Sequence, residues 1–168
     1  MTVAVLRLGH RPFRDGRTTT HIALVARAFG ADKMVMPVRD ERVEKSIEKL
    51  VKNWGGDFFV DTVEDWKVHI QEFKGSVVHL TMYGMPVDEV IDRIHGDDVL
   101  VVVGSKKVPG DVFDLACYNV SVGNQPHSEV SALAIFLDRF FEGGSLKKDF
   151  KGKRRIHPSN RSKIVKRE

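Results

Sequence analysis

The chain has 168 residues, 42% of them hydrophobic and 30% charged, with a formal net charge of +4; it is long enough for one domain with a real core and too apolar for a disordered one. The single cysteine, Cys117, excludes a disulfide framework and a cysteine metal cluster. No apolar run reaches the length of a membrane span and no signal-peptide pattern opens the sequence, so a reducing, cytoplasmic setting is expected.

In chain order, "VAVLRL" (3–8) reads as a short buried strand and "TTTHIALVARAFG" (18–30) as a helix capped by Thr18 or Thr19 and stopped by Gly30. A strand follows at 33–38. Residues 40–56 form an amphipathic helix with Val43, Ile47, Leu50, Val51 and Trp54 on its apolar face and a double glycine at its end. A strand at 57–61 leads to a helix at 62–75, then a strand at 76–84 that runs into a loop. Pro86 opens a helix over 86–96. "DVLVVVG" (98–104) is the most continuous apolar strand, as a central parallel strand should be. A short helix at 109–116, a strand at 118–122 and a long helix at 127–142 complete the series. Repeated β-α alternation predicts an α/β fold with a mainly parallel sheet and helices on both faces.

In such a fold, ligands bind outside the carboxyl ends of the strands. The loop after the first strand, "GHRPFRDGR" (9–17), carries His10, Arg11, Arg14 and Arg17 between two glycines. "GSKKVPG" (104–110) lacks the Gly-Lys-Ser/Thr ending of a phosphate-binding loop, and no strand is followed by a dinucleotide fingerprint. No Gly-x-Ser-x-Gly and no His-Glu-x-x-His occurs, so a serine hydrolase and a zinc hydrolase lose their usual support. What remains are backbone-rich loops beside an apolar sheet end, suited to a flat, mostly neutral ligand. The last loop, "VGNQPHSE" (122–129), crowds an amide pair, an imidazole, a hydroxyl and a carboxylate at the mouth of a core helix. Ser128 or Glu129 suffices as a cap, and the other polar groups are surplus to it. Charge is clustered at 7–17 and after residue 146, the electrostatic footprint of a nucleic-acid partner.

Three stretches, "LRLGHRPFRDGRTTTHIALVARAFGADK" (6–33), "HLTMYG" (79–84) and "VVVGSKKVPGDVFDLACYNVSVGNQPHSEVSALAIFLDRFFEG" (101–143), resemble the SPOUT class of RNA methyltransferases. Within that class the chain is most similar to the archaeal tRNA cytidine-56 2′-O-methyltransferases. The resemblance implies a deep trefoil knot formed by residues from about 79 to 130, with S-adenosylmethionine as the cofactor and no metal. It implies cofactor contacts from Leu80 and Gly84, from Gly104, Ser105, Lys106, Lys107 and Val108, and from Val122, Gly123, Asn124, Gln125, Pro126, His127, Ser128 and Glu129. It also implies a homodimer in which one subunit completes the other's site, with Phe136, Phe140 and Phe141 as candidates for the interface or for ordinary core. Two departures from the wider class stand out: Leu24 occupies the place of the first motif's arginine, and Glu129 that of the last motif's asparagine. Arg17 and Arg11, with His21 behind them, are the candidates for the missing arginine's work.

The reaction so implied is attack of a ribose 2′-hydroxyl on the sulfonium methyl, with the arginines orienting phosphate and steadying the developing alkoxide. Residues 1–144 are expected to form the methyltransferase domain and 145–168 a basic extension that binds tRNA or packs on the protein. The rivals are a SPOUT enzyme for another tRNA or rRNA site, and a non-catalytic RNA-binding module.

Overall fold

Valine-rich segments alternate their side chains across the two faces of a sheet, and both faces are covered. The computed structural model describes residues 1–94, 98–104 and 108–167. Its six-stranded sheet comprises β1 (Thr2–Arg7), β2 (Lys33–Met36), β3 (Phe59–Thr62), β4 (Ser76–Pro86), β5 (Asp98–Val103) and β6 (Tyr118–Ser121), in the order β3-β2-β1-β5-β4-β6. Every pairing is parallel, with Val3 opposite Val99 and Val5 opposite Val101 at the centre. Val3, Val5, Val99 and Val101 project to one face and pack under helices α1 (Gly16–Ala28), α2 (Glu41–Trp54) and α6 (Glu129–Phe140). Ala4, Leu6, Leu100 and Val102 project to the other, under α3 (Trp66–Glu72) and α5 (Asp111–Leu115). A strand buried on both sides needs apolar residues at consecutive positions, and β5 supplies them.

Local chemistry moves several boundaries from their predicted places. α1 starts at Gly16 with Asp15 at its N-cap, and neither Thr18 nor Thr19 caps it; Thr19 is buried and hydrogen-bonded elsewhere. α3 starts at Trp66 rather than 62, because the Asp65 carboxylate accepts the N–H groups of Lys67 and Val68 and fixes the helix there. The helix expected over 86–96 shrinks to one turn, α4 (Val87–Val90), and a 3-10 turn at 91–93; residues 95–97 lie outside the described residues. The reason is that β4 continues through Pro86, pairing with β6 on both sides of a register shift between Leu80 and Met85. α6 starts at Glu129, with Ser128 as its cap.

The basic extension contains structure that periodicity did not predict. Strands β7 (Arg154–His157) and β8 (Ile164–Arg167) form a separate antiparallel hairpin. The segment before it is pinned to the end of α2. The Gly56 N–H donates to the Phe150 carbonyl at 2.9 Å, and Lys151 bridges Gly55. The Arg27 guanidinium lies 4.3 Å from the Phe150 ring centroid and donates to the carbonyls of Trp54 and Gly55 at 3.0 and 2.6 Å. This crossing demands glycine: a Cβ on Gly152 would lie 2.2 Å from the Trp54 carbonyl carbon. Phe136 is core, and Phe140 and Phe141 pack against that core half-buried. Among the described residues, no helix is long and apolar enough to cross a membrane.

Candidate functional site

The carboxyl ends of β4, β5 and β6 open into a cleft of about 580 Å³, within the size range of small-molecule sites. Its walls are strand-end and loop residues. Leu80, Gly104, Val108, Val122, Gln125, Pro126, His127, Ser128 and Glu129, all expected near a cofactor, line it. Gly84, Gly123 and Asn124 are not among the lining residues. The Asn124 side-chain nitrogen donates to the carbonyls of Met82 and Gly84 at 2.8 and 3.0 Å, stapling the last loop to the outer half of β4. A Cβ on Gly84 would lie 2.5 Å from the Asn119 carbonyl, so glycine permits that close approach to β6. Ser105, Lys106 and Lys107 lie outside the described residues.

The polar crowd before α6 divides its labour. The Ser128 hydroxyl accepts the Ser131 N–H at 3.2 Å and caps the helix. His127 Nδ1 lies 3.0 Å from the Ser128 carbonyl and 3.1 Å from the Ser131 hydroxyl, so the ring is held against the first turn. Glu129 turns inward to a partner that the sequence did not reveal. Arg7, at the end of β1, is only 1% exposed, and its Nη1 lies 3.3 Å from the Glu129 carboxylate without the alignment of a hydrogen bond. Burial lowers the Arg7 pKa from its ordinary value, and Glu129 and Asp15 oppose that effect. The facing carboxylate offsets part of the cost of burying this guanidinium charge.

Arg7 is also one end of a buried polar chain. Its Nε reaches the Thr19 hydroxyl at 3.4 Å, which lies 2.7 Å from His10 Nδ1; His10 Nε2 lies 3.0 Å from Asp40. Asp40 in turn accepts the Arg42 N–H as the cap of α2. Burial works to raise the Asp40 pKa, but the hydrogen bonds from His10 and Arg42 outweigh it and the net shift is downward.

His79, which does line the cleft, is a second residue that the sequence did not single out. It is buried in β4, edge-on to Phe113 with centroids 5.0 Å apart, and its Nδ1 lies 2.8 Å from the Asn119 side-chain oxygen. The Asn119 amide nitrogen donates to the Phe113 carbonyl, which turns its oxygen toward the imidazole. Burial lowers the His79 pKa and so favours the neutral ring, and the Asn119 hydrogen bond only partly offsets this. Only its place inside the quoted "HLTMYG" stretch could have flagged it.

None of the three candidate catalytic residues lines this cleft within the one chain. Arg11 is exposed and clamps Asp15 with two hydrogen bonds of 2.9 and 3.0 Å. That contact brings the Asp15 carboxyl down to about 2. Arg17 and His21 are exposed on the first turns of α1 and line a separate hollow with Phe13, Arg14 and Arg42.

Residues 54–166 match the family described as tRNA ribose 2′-O-methyltransferase, aTrm56. The chain is 54% identical over 165 residues to a tRNA (cytidine(56)-2′-O)-methyltransferase of Picrophilus torridus, covering 98% of this chain and 48% of that protein. A protein of the same description from Methanocaldococcus jannaschii is 55% identical over 175 residues, covering 100% of this chain and 98% of that one. The chain therefore spans about half the length of the first relative and nearly all of the second. Among solved structures, a TrmH/SpoU tRNA modifying enzyme of A. aeolicus superposes with a TM-score of 0.60 at 14% identity, covering 88% of this chain and 79% of that one. A ribosomal RNA small subunit methyltransferase E of Neisseria gonorrhoeae, bound to S-adenosyl methionine, gives 0.62 at 9% identity, covering 84% and 66%. At these identities the superpositions establish the shared fold.

Proposed function

Because this chain belongs to the tRNA ribose 2′-O-methyltransferase family, we propose that it transfers the methyl group of S-adenosylmethionine to the ribose 2′-hydroxyl of cytidine 56 in tRNA. The observation that carries this reading is 55% identity across the whole chain to a relative described by that reaction. The cleft fits the cofactor: strand-end valines and Leu80 offer an apolar wall, and loop backbone beside Gly104 and Gln125 offers donors and acceptors for a nucleoside edge.

When bound, the cofactor supplies a methyl group already activated on a sulfonium sulfur. The chain's part is then to bind, orient and manage one proton. Asn124 and Gly84 hold the last cofactor loop to the outer half of β4. The Arg7–Glu129 pair sets the start of α6, and with it the position of His127 and Ser128. The acceptor hydroxyl must lose its proton as it attacks, and a placed base or cation contributes about 100- to 10,000-fold. Arg17 and His21 are the groups for that role, His21 through a ring nitrogen and Arg17 as a fixed positive charge. Arg11, engaged by Asp15, shapes the loop that carries them.

We take the enzyme to be a homodimer. Arg11, Arg17 and His21 do not line their own chain's cleft, and a second copy lets them serve the neighbouring one. The implied knot belongs to the same reading: α6 follows edge strand β6 yet packs on α1 across the sheet. Residues 1–144 form the catalytic domain, since they contain the whole sheet and cleft, and 145–168 are its basic extension. The partner is tRNA in the cytoplasm.

Incubation with methyl-labelled S-adenosylmethionine and an unmodified tRNA transcript, followed by nucleotide mapping, tests the proposal. One label on the 2′-oxygen of cytidine 56 is expected. Label at another nucleotide would make the chain a SPOUT enzyme of different target, and RNA binding without label would make it a non-catalytic module.

A further inference from the structure

We propose that Phe13, flanked by Arg14, Arg17 and Arg42, is a stacking seat for an unpaired nucleotide of the RNA substrate. The inference rests on the tRNA reading above and adds a binding site away from the cofactor cleft. Phe13 is 95% exposed, the most exposed of the large apolar side chains. That exposure is built in rather than incidental to a loose loop. The turn is closed by Arg14 and Asp15 N–H groups donating to the Arg11 carbonyl at 3.0 and 2.8 Å. Arg11 clamps Asp15 across it, and the Arg42 guanidinium donates to the Pro12 carbonyl from α2. A rigid turn that holds an aromatic ring in water forgoes the gain of burying it, which a partner must supply.

The surroundings specify the partner's chemistry. The Arg42 guanidinium sits 5.5 Å from the ring centroid and adds a planar cation to the seat. Arg14 and Arg17 form no ion pair among the described residues. Beside the ring is a hollow of about 480 Å³ that shares no lining residue with the cofactor cleft. A flat ring for a base face, with uncompensated arginines for phosphates, is the chemistry of single-stranded nucleic-acid binding. A nucleobase stacks on Phe13, and the arginines hold its flanking phosphates. Stacking accepts any base, so the seat grips a splayed nucleotide without reading its identity. It lies on the same surface as Arg17 and His21, so a strand seated there is delivered to those groups.

The test compares wild type with Phe13→Ala, Phe13→Leu and Phe13→Trp for affinity to an unmodified tRNA transcript at fixed salt. S-adenosylmethionine titration and sedimentation of each variant accompany the comparison. Phe13→Ala and Phe13→Leu are expected to bind the transcript about tenfold more weakly, Phe13→Trp as well as wild type, and all four to keep the same cofactor affinity and association state. An unchanged affinity in Phe13→Ala overturns the seat. So does full retention by Phe13→Leu, which would mean an apolar contact without stacking. Loss of self-association in Phe13→Ala also overturns it, since the ring would then be a contact between copies. If wild type binds no transcript at all, it is the tRNA reading itself that fails.

Discussion

At the scale of single residues, the buried charge of Arg7 is the feature with the largest consequence. One carboxylate, Glu129, offsets it, and that carboxylate is also the first residue of the helix that borders the cleft. Removing one member of a buried pair leaves the other uncompensated, whereas an apolar replacement of the buried member does not. Glu129→Gln is therefore expected to lower unfolding free energy by about 2 kcal/mol in urea titrations. Arg7→Met should cost less, because Glu129 is partly exposed and can be solvated once its partner is gone. Equal losses in the two variants would mean that packing of Arg7, rather than its charge, holds the site. The same logic separates Arg11 from Arg17: Arg11 is occupied by Asp15, so its substitution is felt by the loop, whereas Arg17 has no ion-pair partner among the described residues.

At the scale of elements, β4 does the most to build the site. Its inner half lies between β5 and β6, and its outer half continues past Leu80 after a register shift, bordering the cleft. His79 lies just before that shift, buried and hydrogen-bonded to Asn119 of β6. Its lowered pKa has a defined effect on stability. In the unfolded chain the imidazole takes a proton near its ordinary value of 6.5, while in the fold it resists protonation until lower pH. The unfolded state thus binds more protons below about 6.5, and stability falls as pH drops from there toward the folded value. His69, also lowered chiefly by burial, adds in the same direction. Urea unfolding followed between pH 7 and 5 is expected to show this decline. His79→Gln, which retains a donor for Asn119, should make it shallower; an unchanged slope would show that His79 does not contribute.

At the scale of the whole molecule, the basic extension has two mechanically different parts. Phe150 and Gly152 are locked against Arg27 and the end of α2, while β7 and β8 form strand pairs only with each other and touch the body chiefly where β7 meets α2. Truncation after Gly144 removes both parts and should lower the melting temperature by several degrees, the shift expected for about 1–2 kcal/mol in a domain of this size. Truncation after Lys153 keeps the lock and removes only the hairpin. Its melting temperature should stay near that of the full chain, while tRNA affinity falls and its salt dependence flattens with the loss of Arg154, Arg155, Arg161, Lys163, Lys166 and Arg167. Equal melting losses from both cuts would show the hairpin to be structural, and unchanged binding after the second would remove it from the RNA surface.

Periodicity alone carried the strand-helix alternation, the central place of the 98–104 strand, both sheet faces and the surplus of polar groups before the last helix, because each depends on neighbours along the chain. Thr19, read as a helix cap, instead joins His10 and Arg7 in the interior, and the helix expected over 86–96 yields to a strand that gains more by pairing with β6. Glu129 finds Arg7, His79 finds Asn119, and Phe150 finds Arg27 only once the sheet order brings distant segments together. Such pairings follow from topology, which sets distances between residues that no local pattern relates. The sequence by itself determined which residue types stand at the strand ends; the tertiary structure decided which of them meet.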